Sequence, residues 1–221
     1  MREGYRKRLE TLHTELIRMG ALCEEAIASA AKGLLDEKPE YREKAIRLEK
    51  EIDGFEHDIE AFCVKLLLRE QPVAGDLRQI TSAHKIVTDM ERIGDQAADI
   101  AEISAFMVGS PVKSDIHIAE MANATIKMLS DSVDSFVAGD LEKALGVIES
   151  DDIVDELFHR VKGELLASIS NDPSLGEDCL DLLMIAKYLE RIGDHATNIA
   201  EWVVYSITGE RKGFHDLPGG G

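Results

Sequence analysis

Two acidic strings in this chain nearly repeat one another. Residues 91–102 read ERIGDQAADIAE and residues 190–201 read ERIGDHATNIAE, at a constant offset of 99 residues. They differ only at Gln96/His195, Ala98/Thr197 and Asp99/Asn198. On a helix, at about 100° per residue, Glu91, Asp95, Asp99 and Glu102 fall on one narrow face, with Ile93, Ala97 and Ile100 opposite. In the second copy Glu190, Asp194 and Glu201 take the same places, and Asn198 replaces Asp99 with an uncharged oxygen donor. A second acidic pair lies upstream in each half. Glu49 and Asp53 match Asp151 and Asp155, both at i, i+4 spacing and 102 residues apart, with His57 and His159 following at the same offset.

The chemistry such residues offer is the holding of a cation. One acidic i, i+4 pair on a solvated helix costs only about 0.2–0.5 kcal/mol and needs no explanation. Two pairs facing each other from neighbouring helices are different. Unit charges about 5 Å apart repel by about 3 kcal/mol at an effective dielectric near 20. Four carboxylates meeting in one groove, twice over, are better explained by bound metal than by solvation. Hard divalent or trivalent ions favour such oxygen donors: iron first, then manganese or magnesium, with calcium an alternative; zinc remains an alternative too, although it usually draws more Cys or His than this pattern supplies. Two other readings compete: a metal-free scaffold with solvated acids, and a ferritin-like di-metal oxidase. The oxidase would use the Glu-x-x-His pairs Glu156/His159 and Glu10/His13, which must project into a bundle core. On the wheel, Glu156 and His159 point away from the apolar stripe of Val154, Leu157 and Val161. His57, His159 and His195 are weak ligand candidates. Gly94 and Gly193, in the middle of the repeated helix, suggest close helix packing, with a hinge as the alternative.

The elements that carry these residues are helices. Apolar positions recur with helical period almost throughout, and no segment alternates with period two. Helices are expected over 6–35, 40–69, 76–107, 114–137, 141–170 and 175–207, with breaks at Gln71-Pro72, Gly109 to Pro111, Gly139, Asn171-Asp172-Pro173 and Gly209. The fold class is therefore all-α: two tandem, pseudo-repeated three-helix bundles built from six long antiparallel helices. The first bundle should span 1–108 and the second 113–208, with 209–221 a disordered tail.

Composition narrows the partners. The 221 residues carry a formal net charge of -18, and the acidic excess is larger after residue 110 than before it. Neither half offers a basic surface for phosphate backbones or anionic lipid, so cations and basic protein patches are the favoured partners. Cys23, Cys63 and Cys179 sit among apolar neighbours at unpaired spacing and read as buried thiols. The start, MREGYRKRLE, lacks the apolar stretch of a signal peptide, and no apolar run approaches the roughly 18 residues that span a bilayer. A soluble, intracellular protein is expected.

The strings ERIGDQAADIAE and ERIGDHATNIAE resemble the signature of the PhoU family of phosphate-uptake regulators, and the resemblance runs from residue 1 to about 208. It implies a cytoplasmic protein of two similar three-helix bundles, commonly a homodimer. It also implies metal ions, iron above all and in multinuclear clusters, held on the bundle surfaces by Glu/Asp-x-x-x-Asp motifs. Carried onto this sequence, one site would use Glu49, Asp53, Glu91 and Asp95, with Asp99 as an extra ligand. The other would use Asp151, Asp155, Glu190 and Asp194, with Asn198 departing from the pattern. The implied role is non-catalytic: restraint of phosphate uptake and phosphate-starvation signalling through contacts with the ATPase of the phosphate ABC transporter and with the sensor histidine kinase.

Overall fold

The computed structural model describes residues 2–70, 72–112 and 116–210. Helices account for nearly all of it: α1 Arg2–Leu35, α2 Pro39–Glu70, α3 Ala74–Ser104, α4 Ile118–Ala138, α5 Leu141–Glu149, α6 Asp151–Asn171 and α7 Gly176–Thr208, with one turn of 3-10 helix at Pro173–Leu175 before α7. The long helices end where the sequence signals a stop. Gly139 and Gly209 close α4 and α7 with φ of 66° and 81°, a left-handed conformation that suits glycine. Asp172 accepts from the Ser174 amide at 2.9 Å and its hydroxyl at 2.6 Å, turning the chain at Pro173. At the α1–α2 corner Glu37 has φ 58°, and the Arg42 guanidinium donates to the Gly33 carbonyl at 3.1 Å. The sequence-expected tail lies, from residue 211, outside the described residues.

One expected helix is divided. Residues 141–170 read as continuous, yet the chain breaks at Ser150 between α5 and α6. The Ser150 hydroxyl bonds the Gly146 carbonyl at 2.8 Å, and its amide is shared between Gly146 and Val147 at 3.1 and 3.0 Å. A side chain that competes for the carbonyl four residues back bends a helix. The consequence is local to the chemistry: Asp151, the first acid of its pair, begins α6 instead of lying mid-helix as Glu49 does in α2.

The apolar stripes turn inward as their spacing requires. Leu12, Leu16, Met19, Cys23 and Ile27 of α1, Ile52, Ile59 and Leu66 of α2, and Ile86, Ile93, Ala97 and Ile100 of α3 are buried. All three cysteines are buried and unpaired. Helices α1, α2 and α3 pack against one another, and α4, α5 and α6 pack around α7. The two groups share one continuous core. They meet through α3 against α7 and α1 against α4, so each contact joins a helix to its counterpart from the other repeat. Helices α3 and α7 run antiparallel: Arg78 donates to the Ser206 carbonyl at 3.5 Å, while Asp89 meets His195 further along. Among the described residues no helix is long and apolar enough to cross a membrane.

Candidate metal centre

The seam between α2 and α3 is set by a missing side chain. A Cβ placed on Gly94 would lie 3.0 Å from Ile52 Cδ1 and 3.1 Å from its Cγ2. Only glycine lets the two helices approach so closely without a shift in Ile52. Asp53 and Asp95 are the next residues in the chain, so the contact that closes the seam also carries their carboxylates to its rim. One oxygen from each of Asp53, Glu56 and Glu91 lies within 4.8 Å of the others. Beyond this triad the seam continues as a groove of about 450 Å³, lined by Glu49, Asp95, Asp99 and Glu102 with Ile46, Ala98 and Lys50. The structure thus brings Glu49, Asp53, Glu91 and Asp95 to one seam, two of them in the triad and two in the groove.

The third member of the triad, Glu56, lies outside the i, i+4 pairs that the sequence repeats. It stands three residues after Asp53 on the same face, and its counterpart 102 residues on is Phe158. Duplication therefore does not mark it.

Crowding shows in the acidities. Glu91 is pushed up to about 7, first by burial and then by the charges of Asp95, Glu56 and Asp53, with Arg92 opposing. Glu56 is raised by burial, then by Glu60, Asp53 and Asp95, with His84 opposing from 3.5 Å away from Glu60. Burial, then Asp99 and Asp53, raises Asp95; burial, then Asp95 and Asp53, raises Glu49. An all-oxygen donor set short of positive charge is what a hard cation fits.

The α6–α7 seam is built on the same frame. A Cβ on Gly193 would meet Val154 Cγ1 at 3.2 Å, the counterpart of the Gly94–Ile52 contact. Asp151, Asp155, Glu190 and Asp194 feel one another: burial and then Asp155, Asp152 and Glu190 raise Asp151, while burial and then Glu190 and Asp151 raise Asp194. The charge pattern nonetheless differs. Phe158 stands where Glu56 stands in the first seam, and Lys187 where Thr88 stands. The Lys187 ammonium pairs with the Glu190 carboxylate and lies 5.6 Å from the centre of the Phe158 ring. Among the described residues the three-carboxylate group occurs only at the first seam.

The exchange of Asn198 for Asp99 has its reason at the α3–α7 contact. Asp99 accepts the Tyr188 hydroxyl across that interface. The equivalent pair in the other direction is Asp89 with Asn198, whose side-chain nitrogen lies 3.5 Å from the Asp89 carboxylate. Where the α3 partner is an acceptor, the α7 position must donate, so amide replaces acid. His195 joins the same network, its Nδ1 2.9 Å from Asp89, and is buried there, away from the acidic rim. His57 and His159 are exposed outside the triad. Glu10, Glu156 and His159 are exposed as well, so the two Glu-x-x-His pairs do not converge in the core as the oxidase reading requires.

Comparison with known proteins follows the same division into halves. The model of the PhoU domain matches residues 16–104 and 118–203. The phosphate-specific transport system accessory protein PhoU homolog of Clostridium acetobutylicum is 38% identical over 217 residues, covering 97% of this chain and 99% of that protein. The corresponding protein of Aquifex aeolicus is 40% identical, covering 92% of this chain and 93% of its own length. The crystal structure of PhoU from Pseudomonas aeruginosa superposes with a TM-score of 0.85 at 31% identity, covering 93% of this chain and all of that one. The phosphate transport system regulatory protein PhoU from Streptococcus pneumoniae gives 0.84 at 25% identity, covering 94% and 99%.

Proposed function

This chain belongs to the PhoU family, and from that premise we propose that it is a non-catalytic regulator that restrains phosphate uptake and phosphate-starvation signalling. Its partners are the ATPase of a phosphate ABC transporter and a sensor histidine kinase, met from the cytoplasmic side, and a second copy of the chain forms a homodimer. The name shared by its relatives, accessory protein of a phosphate-specific transport system, supports the transporter as one partner. The strongly acidic surface supports docking to basic protein patches.

Metal belongs to the same reading. The carrying observation is the gathering of Asp53, Glu56 and Glu91 within 4.8 Å. Glu49, Asp95 and Asp99 extend the donor set along the seam. Iron is the first choice and manganese or magnesium the next, as one ion or a small cluster. When bound, the metal would supply positive charge at the triad, which no ammonium pairs with among the described residues. Holding it from both helices, these residues would tie α2 to α3 through the metal, and Gly94 sets the distance across which they would do so.

Two measurements test this. Deleting the coding sequence in its host should raise phosphate uptake in phosphate-rich medium and switch on a starvation reporter, and restoring it should reverse both. Unchanged uptake and reporter would sink the regulatory role. Protein purified without chelators should contain metal that Glu91→Gln strips from it. Metal content indifferent to that change would sink the site.

A further inference from the structure

The second acidic seam carries a cation of its own. Lys187 sits one turn before Glu190 on α7, and its ammonium pairs with the Glu190 carboxylate. Glu190 is the counterpart of Glu91, the α3 member of the first triad. The ammonium is steadied from the other helix by the ring of Phe158, 5.6 Å away, in a cation–π contact. Phe158 is the counterpart of Glu56. One carboxylate of the triad has therefore become an apolar ring, and that ring helps hold a positive charge against a second carboxylate. The first seam has cations too, Lys50 along the groove and Arg92 beside Glu91, but among the described residues no ammonium pairs with a carboxylate of its triad. Thr88 takes the place of Lys187, and its hydroxyl bonds the His84 carbonyl of its own helix at 3.3 Å.

We propose that Lys187 is a tethered counter-ion which keeps the α6–α7 seam from taking the metal that the α2–α3 seam takes, so that the chain has one metal-responsive face and one fixed face. This rests on the metal reading of the first seam. A metal ion approaching Glu190 must displace an ammonium already paired there, and it finds no third carboxylate in place of Glu56. The Glu190 side chain is only 15% exposed while that of Lys187 is 47% exposed, so the carboxylate is shielded and the ammonium reaches it from the solvent side. Loading with metal then changes the charge of one bundle and leaves the other as it was. A partner that reads metal status has to dock over α2 and α3, and a partner that docks regardless can use α6 and α7.

The test titrates manganese(II) into the full chain after chelator treatment, following the loss of the free-ion electron paramagnetic resonance signal and the metal retained after dialysis. Wild-type protein should take up metal, and Glu91→Gln alone should abolish all of it. On that Glu91→Gln background, Phe158→Glu with Lys187→Thr copies the first seam onto the second and should restore uptake. In the wild-type background Thr88→Lys should weaken binding at least about tenfold. If Glu91→Gln keeps half of the uptake, the second seam binds metal despite Lys187 and this inference fails alone. It also fails alone if the triple variant melts as a folded helical protein yet regains nothing. A wild-type chain that takes up no manganese overturns the metal reading, and this inference with it.

Discussion

The two seams share a frame and differ in charge. Along α2–α3, Ile52 meets the gap at Gly94, and five carboxylates, Glu49, Asp53, Glu56, Glu91 and Asp95, gather over the contact, with Lys50 further along the groove and no ammonium paired to the triad among the described residues. Along α6–α7, Val154 meets the gap at Gly193, with four carboxylates and the ammonium of Lys187. The lesson lies in which positions stayed alike. Positions that set the distance between helices kept their character, because both bundles must close to form the shared core. Positions at the solvent rim diverged, because a change of charge there leaves the packing untouched. Two positions between α3 and α7 diverged as complementary pairs, Asp89 with Asn198 and Tyr188 with Asp99, since a buried donor or acceptor left alone costs about 1–3 kcal/mol.

The frame is where the largest effect is expected. Valine at Gly94 drives a branched side chain into Ile52, and valine at Gly193 drives one into Val154. Overpacking of this kind costs about 1–3 kcal/mol, and both seams should fall by similar amounts in urea melts. Gly163, in α6, faces open space within 4 Å, so Gly163→Val should leave the midpoint nearly unchanged. Adding Ile52→Ala to Gly94→Val should recover part of the loss, a coupling that a double-mutant cycle reads directly. Losses that are equal at all three glycines, with no recovery, would mean that the repeat glycines do not set the seams.

The contact between halves comes next. Asp89→Ala takes the acceptor from both His195 and Asn198, and should cost about 2 kcal/mol, inside the range for stranded buried polar groups. Tyr188→Phe removes a single donor from Asp99, which also borders the open groove and can turn to water. Its cost should be nearer 0.5–1 kcal/mol, as for one ordinary hydrogen bond. The ordering is what matters. If Tyr188→Phe proves the more damaging in thermal melts, the network is not centred on Asp89.

Much of this was legible in the sequence, for a physical reason. Helical period, the stops at Gly139, Pro173 and Gly209, and the opposition of Ile93, Ala97 and Ile100 to the acids are all local, and local geometry alone decides them. The pairing of Glu49 and Asp53 with Glu91 and Asp95 followed because duplication marked both pairs. That same filter hid Glu56, whose counterpart is Phe158, and with it the inequality of the seams. Asn198 read as a weakened ligand, because nothing local says that α7 crosses α3 antiparallel and brings it to Asp89. The break at Ser150 was hidden for a subtler reason: serine is tolerable in a helix until its hydroxyl takes the carbonyl of Gly146.

The smallest effects should differ in sign between the seams. In the metal-free chain Glu91 holds its proton up to about 7, while in the unfolded chain it ionises in the ordinary carboxylate range. The folded state therefore binds more protons between about pH 4.5 and 7. Over that window this group takes stability away as pH rises, and above it the loss is constant. Glu91→Gln removes the penalty, so at pH 8 the variant should be more stable than wild type. Because Glu91 is only partly buried, screening leaves a gain of about 1 kcal/mol. Glu190→Gln takes a partner from Lys187 and should instead cost about 0.5 kcal/mol. Saturating manganese(II) should reverse the first comparison, since it stabilises only the protein that can bind it. Shifts of the same sign at both positions, measured by melting at pH 8 with chelator present, would mean that Lys187 does not neutralise its seam.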